Sequence, residues 1–138
     1  MDELLKKIEG FHGHIGPYVV IGYRMGKIAC RKLNDNPFSK KVKIMTGTKP
    51  PLSCIIDGIQ ISSGCTLGKG NIKIQDKKKP IAIFKDKKGK QITITLKKDI
   101  YEEIETAVRD EELIKYSEEI YKKPEEEIFT IQWMNIKT

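Results

Sequence analysis

Histidine, cysteine and tryptophan are scarce in this sequence: two, three and one in 138 residues. Where the few reactive side chains cluster is therefore where chemistry is to be sought. No apolar run approaches the ~20 residues of a membrane span, so no membrane partner is expected. Three cysteines is an odd count and no secretory segment precedes them. That predicts a reducing, cytoplasmic setting with free or metal-bound thiols rather than a disulfide framework. Aromatics make up only 7%. The net charge of +7 is carried by lysines at Lys40-Lys41, Lys77 to Lys79 and Lys87 to Lys90, which read as turns between strands. With few rings interleaved to stack on bases, a solubilising surface is expected and no nucleic acid. The hydrophobic and charged shares, 38% and 33%, suit one globular domain over residues 1–138.

What is present concentrates in Cys54 to Asn71, which holds two cysteines, an acid, an amide and four glycines in eighteen residues. Ser53 is a good N-cap for a short helix that puts Cys54 in its first turn, where the helix dipole favours a thiolate. Ile55, Ile56 and Ile59 share one face, while Cys54, Asp57, Gly58 and Ile61 share the other. Ser62-Ser63-Gly64 stops the helix, and a glycine-punctuated turn carries Cys65, Gly68, Lys69, Gly70 and Asn71. The Gly-Lys-Gly is no phosphate loop, since the spacing from Gly64 is one residue short and Gly70 follows the lysine. Two readings stay open: ordinary buried thiols and turn glycines, or two walls of a reactive or metal-binding pocket. In the second, the loop amides with Lys69 form a nest for an anion.

The second concentration is Phe11-His12-Gly13-His14, which precedes Pro17. Histidines two apart around a glycine are an economical chelate, because the glycine lets both rings face one point. A short amphipathic helix over residues 2–9 leads in, and Pro17 opens a helix of about 16 residues in which Cys30 reads as a core thiol. A strand is expected at Val42 to Thr46. After the glycine turn, strands at 72–75, 81–85 and 92–97 read as an antiparallel meander. A helical region from Asp99 to about Lys122 breaks near Asp110, and a last strand runs from Ile128 to Met134. The expected fold is α+β: an antiparallel sheet with helices packed on one face.

These blocks, Phe11-His12-Gly13-His14 with Pro17, Cys54-x-x-Asp57-Gly58-Ile59-Gln60 and Gly64-Cys65-Thr66-x-Gly68-Lys69-Gly70-Asn71, resemble the formylmethanofuran dehydrogenase E-subunit family over most of the chain. Gly16 stands where that family usually has cysteine, and Tyr18 where it usually has glycine. The cysteine-rich zinc module that longer members append is not in the sequence. The resemblance implies a cleft lined by these motifs, a homodimer, and a link to molybdenum or tungsten enzymes of one-carbon metabolism and methanogenesis. It implies no settled activity. The first expectation is a metal-binding protein with His12, His14, Cys54 and Cys65 as ligands, zinc as the ion, and Asp57 with Cys54 as the catalytic pair. The alternative is a non-catalytic accessory or carrier module. It would bind an anionic small molecule through Lys69, Gly68, Gly70, Asn71 and Gln60, or dock on larger oxidoreductase subunits.

Overall fold

The computed structural model describes residues 2–106 and 110–135. Two helices, α1 (Glu3–His12) and α2 (Pro17–Lys32), lead into strand β1 (Lys40–Ile44) and helix α3 (Cys54–Ser63). A 3-10 turn at Leu67–Lys69 precedes β2 (Ile72–Ile74), β3 (Ile81–Asp86) and β4 (Lys90–Leu96). Then come α4 (Lys98–Thr106), α5 (Asp110–Lys122), the short α6 (Glu125–Ile128) and β5 (Phe129–Asn135). The five strands make one sheet in the order β2-β1-β3-β4-β5. It is an α+β domain, as the alternation of residues predicts. The break expected near Asp110 falls beside residues 107–109, which lie outside the described residues.

The meander is corrected at its first member. β2 pairs parallel with β1, Val42 opposite Ile72, while β3 pairs antiparallel with β1, Val42 opposite Phe84. Parallel neighbours need a crossover, and α3 supplies it. The chain after β2 then crosses the end of β1, where the Met45 carbonyl accepts from the amides of Lys77 and Lys79. A lysine-rich segment that reads as a hairpin turn is therefore a strap that carries the chain past β1. β3–β4 is a true hairpin, and α4 to α6 intervene before β5 closes the far edge.

One face of the sheet is buried. Val42 and Ile44, Ala82 and Phe84, and Ile92, Ile94 and Leu96 alternate inward and meet α2, α3 and α4. α2 is the central helix, with Val19, Val20, Ile21 and Met25 fully buried.

The two central helices approach until backbone meets backbone. A Cβ on Gly22 would lie 2.0 Å from the Ile55 carbonyl oxygen, and one on Gly58 would lie 2.1 Å from that of Val19. A Cβ on Gly26 would lie 1.8 Å from Ser62 Oγ. Sequence periodicity puts Gly58 on the face away from the isoleucines, but here it is the contact point. Ile55 and Ile59 flank it, buried, and Ile56 is left half-covered. Cys30 is also corrected: it is half-buried rather than core, and its thiol donates to the Ser62 carbonyl at 3.5 Å. Replacing Gly58 with Ala must spread α2 and α3 against a rigid backbone. Gly58→Ala is expected to destabilise the protein by about 3 kcal/mol, read as a shift in the urea midpoint. Gly10→Ala, where a Cβ meets nothing within 4 Å, is the neutral comparison.

Candidate functional site

The site forms where α1 ends, α2 begins and α3 begins. His12 is the last residue of α1 rather than part of the loop. Gly13, at φ 101°, then turns the chain left-handed, a conformation that glycine adopts without strain. The turn returns His14 toward His12, and the two ring centroids lie 4.7 Å apart. The glycine between them thus brings both rings to one place.

Asp57 reaches the same place from the first turn of α3. Its Oδ2 lies 2.6 Å from His12 Nδ1. A carboxylate can only accept, so Nδ1 carries the hydrogen and Nε2 is left with its lone pair. Nε2 is buried without a hydrogen-bond partner among the described residues, and the His12 side chain is only 9% exposed. A buried polar atom without a partner carries a cost of ~1–3 kcal/mol. Its position is that of a group waiting for a ligand.

The cavity beside it has a volume of about 560 Å³. His12, His14, Gly16 and Cys54 form its polar end, and Ile104, Leu113 and Ile114 its apolar wall. Tyr18 belongs to that wall and donates to Glu105 Oε2 at 2.9 Å. Burial first, then the Glu105 bond, push its phenol well above the ordinary value, so Tyr18 stays a neutral donor. A Cβ on Gly16 would lie 3.3 Å from His14 Nε2. The absent side chain therefore leaves open the space directly beside that nitrogen.

The electrostatics of Cys54 differ from the expectation. It stands in the first turn of α3, but burial, then the neighbouring Asp57 carboxylate, raise its thiol above the usual range. The dipole does not prevail because the turn at 50–53 consumes the amides that would stabilise a thiolate. Cys54 N donates to Pro51 O, Ile55 N to Leu52 O and Ile56 N to Ser53 O, and the Ser53 side chain caps nothing.

The remaining candidates are not brought to this cavity. Cys65 lies beyond the far end of α3, fully buried, with its sulfur 3.7 Å from the Lys40 carbonyl. Gly64, at φ 77°, reverses the chain, but toward β1 rather than back along the helix. Gln60 accepts from the Leu67 amide, and Asn71 ties Thr66 N to the Pro37 carbonyl, so both amides brace the turn. Lys69, Gly70 and Asn71 line a separate groove, and Gly68 is exposed at the turn tip. Among the described residues no three His, Cys, Asp or Glu side chains are grouped closely enough to hold an ion together. Nothing in the sequence points to Glu105 or to the Tyr18 contact, because the partners are 87 residues apart.

Similarity to known proteins identifies the family. Residues 11–130 match the model of a family described as FmdE, molybdenum formylmethanofuran dehydrogenase operon. The chain belongs to the FmdE family. It is 30% identical over 118 residues to a probable S-adenosyl-L-methionine-binding protein of Archaeoglobus fulgidus. That match takes in 84% of this chain but only 29% of the relative's length. A solved FmdE-like protein of tungsten formylmethanofuran dehydrogenase from Syntrophus aciditrophicus has the same fold, with a TM-score of 0.73 at 24% identity. It aligns with 98% of this chain, which spans 72% of it. Among the described residues no helix is long and apolar enough to cross a membrane.

Because Asp57 contributes to the raised Cys54 pKa, Asp57→Asn should lower it. In chelator-treated protein, Cys54 alkylation by iodoacetamide, followed by peptide mass spectrometry, should be slow at about pH 7 and accelerate above about pH 9. The Asn variant should reach the same rate at lower pH.

Proposed function

We propose that this FmdE-family protein binds a transition metal ion, zinc by donor chemistry, at the polar end of the cavity, and presents it to a small ligand held against the apolar wall. The observation that carries this reading is the His12 ring. Its Nδ1 is fixed on a carboxylate at 2.6 Å, and its buried Nε2 has no partner among the described residues. A metal-ligating histidine is held in this way, the carboxylate fixing the tautomer and raising the basicity of the ligating nitrogen. His14 is the second donor, and Cys54, which lines the same cavity, the third. Mixed imidazole and thiolate donors suit zinc above magnesium or calcium.

The side chains are not gathered into a closed shell, which favours an open site over a structural one. At such a site zinc would supply a Lewis acid and an activated water. Asp57 orients His12, Gly16 leaves room beside His14 Nε2, and Tyr18 donates a hydrogen bond at the boundary with the apolar wall. A role in molybdenum- or tungsten-linked one-carbon redox metabolism, as an accessory to larger oxidoreductase subunits, is supported by the family to which the chain belongs.

A second reading dispenses with the metal. The cavity is of a size that takes a drug-sized organic molecule, and the Archaeoglobus relative is named for binding S-adenosyl-L-methionine. Here the His12 and His14 nitrogens and the Tyr18–Glu105 pair would hold the polar groups of such a ligand directly.

Untagged protein purified under reducing conditions should carry near-stoichiometric zinc by elemental analysis, lost in His12→Ala and His14→Ala. Asp57→Asn should weaken binding by ~10–100-fold. Absence of metal from the parent, even after reconstitution, sinks the first reading. Calorimetric titration with S-adenosyl-L-methionine then tests the second.

A further inference from the structure

A second surface lies at the other end of α3 and is independent of the cavity. The strand lysines do not sit in turns as the sequence suggests. Lys41 and Lys43 alternate outward from β1, Lys73 from β2 and Lys85 from β3, all on the sheet face that no helix covers. Register sets them directly opposite one another, Lys41 against Lys85 and Lys43 against Lys73. Like charges facing across strands are destabilising. The outward positions of the described strands carry no carboxylate that would relieve them.

At one end of that face the lysines border a groove of about 520 Å³, lined by Lys41, Lys69, Lys85, Lys87, Lys88 and Phe38 among others. The one acid there, Asp86, is already engaged, its Oδ1 accepting from the amides of Lys88 and Lys90. Phe38 is 68% exposed, yet the turn that presents it is held from several sides. Lys40 Nζ, on a side chain buried to 1% exposure, donates to the carbonyls of Asn34 and Asn36 at 2.9 and 3.0 Å. Asn71 Nδ2 holds the Pro37 carbonyl, and the Asn34 and Asn36 side chains accept from the amides of Asn36 and Phe38. Burying a lysine without an acid partner is costly. Here the ammonium braces a turn whose tip is an uncovered phenyl ring. A rigid exposed aromatic with a charged rim has the anatomy of an interface anchor.

We infer that this groove docks an acidic, aromatic- or leucine-containing segment of a partner protein. Its carboxylates would sit among Lys41, Lys69, Lys85, Lys87 and Lys88, and its apolar side chain against Phe38. Charge complementarity favours a polyanion, and the details favour a peptide over nucleic acid. Phe38 is the one aromatic along the groove, and Lys69 Nζ stands 5.4 Å from its ring centre, occupying a face on which a base would stack. Outward Ile81, Ile83, Thr93 and Thr95 continue the face with apolar and uncharged positions at strand spacing, which suits alternating side chains of an extended segment.

The test is fluorescence anisotropy at low salt with a fluorescein-labelled peptide of about twelve residues that alternates Glu with Leu and Phe. The parent is expected to bind it, and Lys41→Gln/Lys85→Gln to bind at least ~10-fold more weakly. The same double variant should melt no lower than the parent, because it removes a repulsive pair. Phe38→Ala should also weaken binding. Lys77→Gln/Lys78→Gln/Lys79→Gln removes more charge from the strap and should change the affinity less than ~2-fold. Three results overturn the inference: no binding by the parent, equal loss in the strap variant, or tighter binding of a labelled uridine oligonucleotide than of the peptide. The second marks general charge attraction and the third a nucleic-acid surface.

Discussion

The backbone contact between α2 and α3 is the constraint on which the other features depend. Gly22, Gly26 and Gly58 allow two helices to lie closer than any side chain permits. That approach sets the start of α3 beside the end of α1 and the start of α2. His12, His14, Gly16, Cys54 and Asp57 can then converge although His12 and Asp57 are 45 positions apart in the chain. Dispersion between the buried isoleucines on either side of Gly58 adds to the contact, since interiors at this density leave no slack. The polar site is thus a by-product of apolar and steric packing one turn away.

From the sheet's side, β1 is the centre of organisation. It gains a parallel neighbour through α3 and an antiparallel neighbour through the strap at 75–80. That double role places its outward lysines next to two other lysine-bearing strands. The same crossover separates the molecule's two polar regions. The cavity forms at the N-terminal end of α3 and the basic groove at its C-terminal end, about 15 Å away by the rise of ten helical residues.

Much of this is legible in the chain. Helical and strand periods give the class, Pro17 and Gly64 mark element ends, and the scarcity of histidine points to residues 12–14. Three things are not legible, each for a physical reason. A glycine in a helix carries no sign of which face it serves, so Gly58 cannot be placed at the crossing from its spacing. A strand's neighbours depend on the crossover handed to it by a distant helix, so β2 cannot be paired from its own residues. The electrostatics of Cys54 depend on whether the preceding turn spends its amides, and the Pro50-Pro51 segment does so. Cys65 and Lys69 look like members of one site with Cys54 because closeness along the chain suggests closeness in space. A straight ten-residue helix holds them apart.

Asp57 and Gly58 are adjacent, and they answer to different demands. The first orients His12, and the second admits α2. Because one peptide bond joins them, any backbone shift that accommodates a larger residue at 58 also moves the carboxylate at 57 away from its histidine. Mutational drift at the packing position is therefore exposed to selection on ligand binding as well as on folding. The route by which such a pocket can change its specificity runs through the freer positions around it. Residues 16 and 18 are two such positions, where this chain already differs from its family's usual pattern.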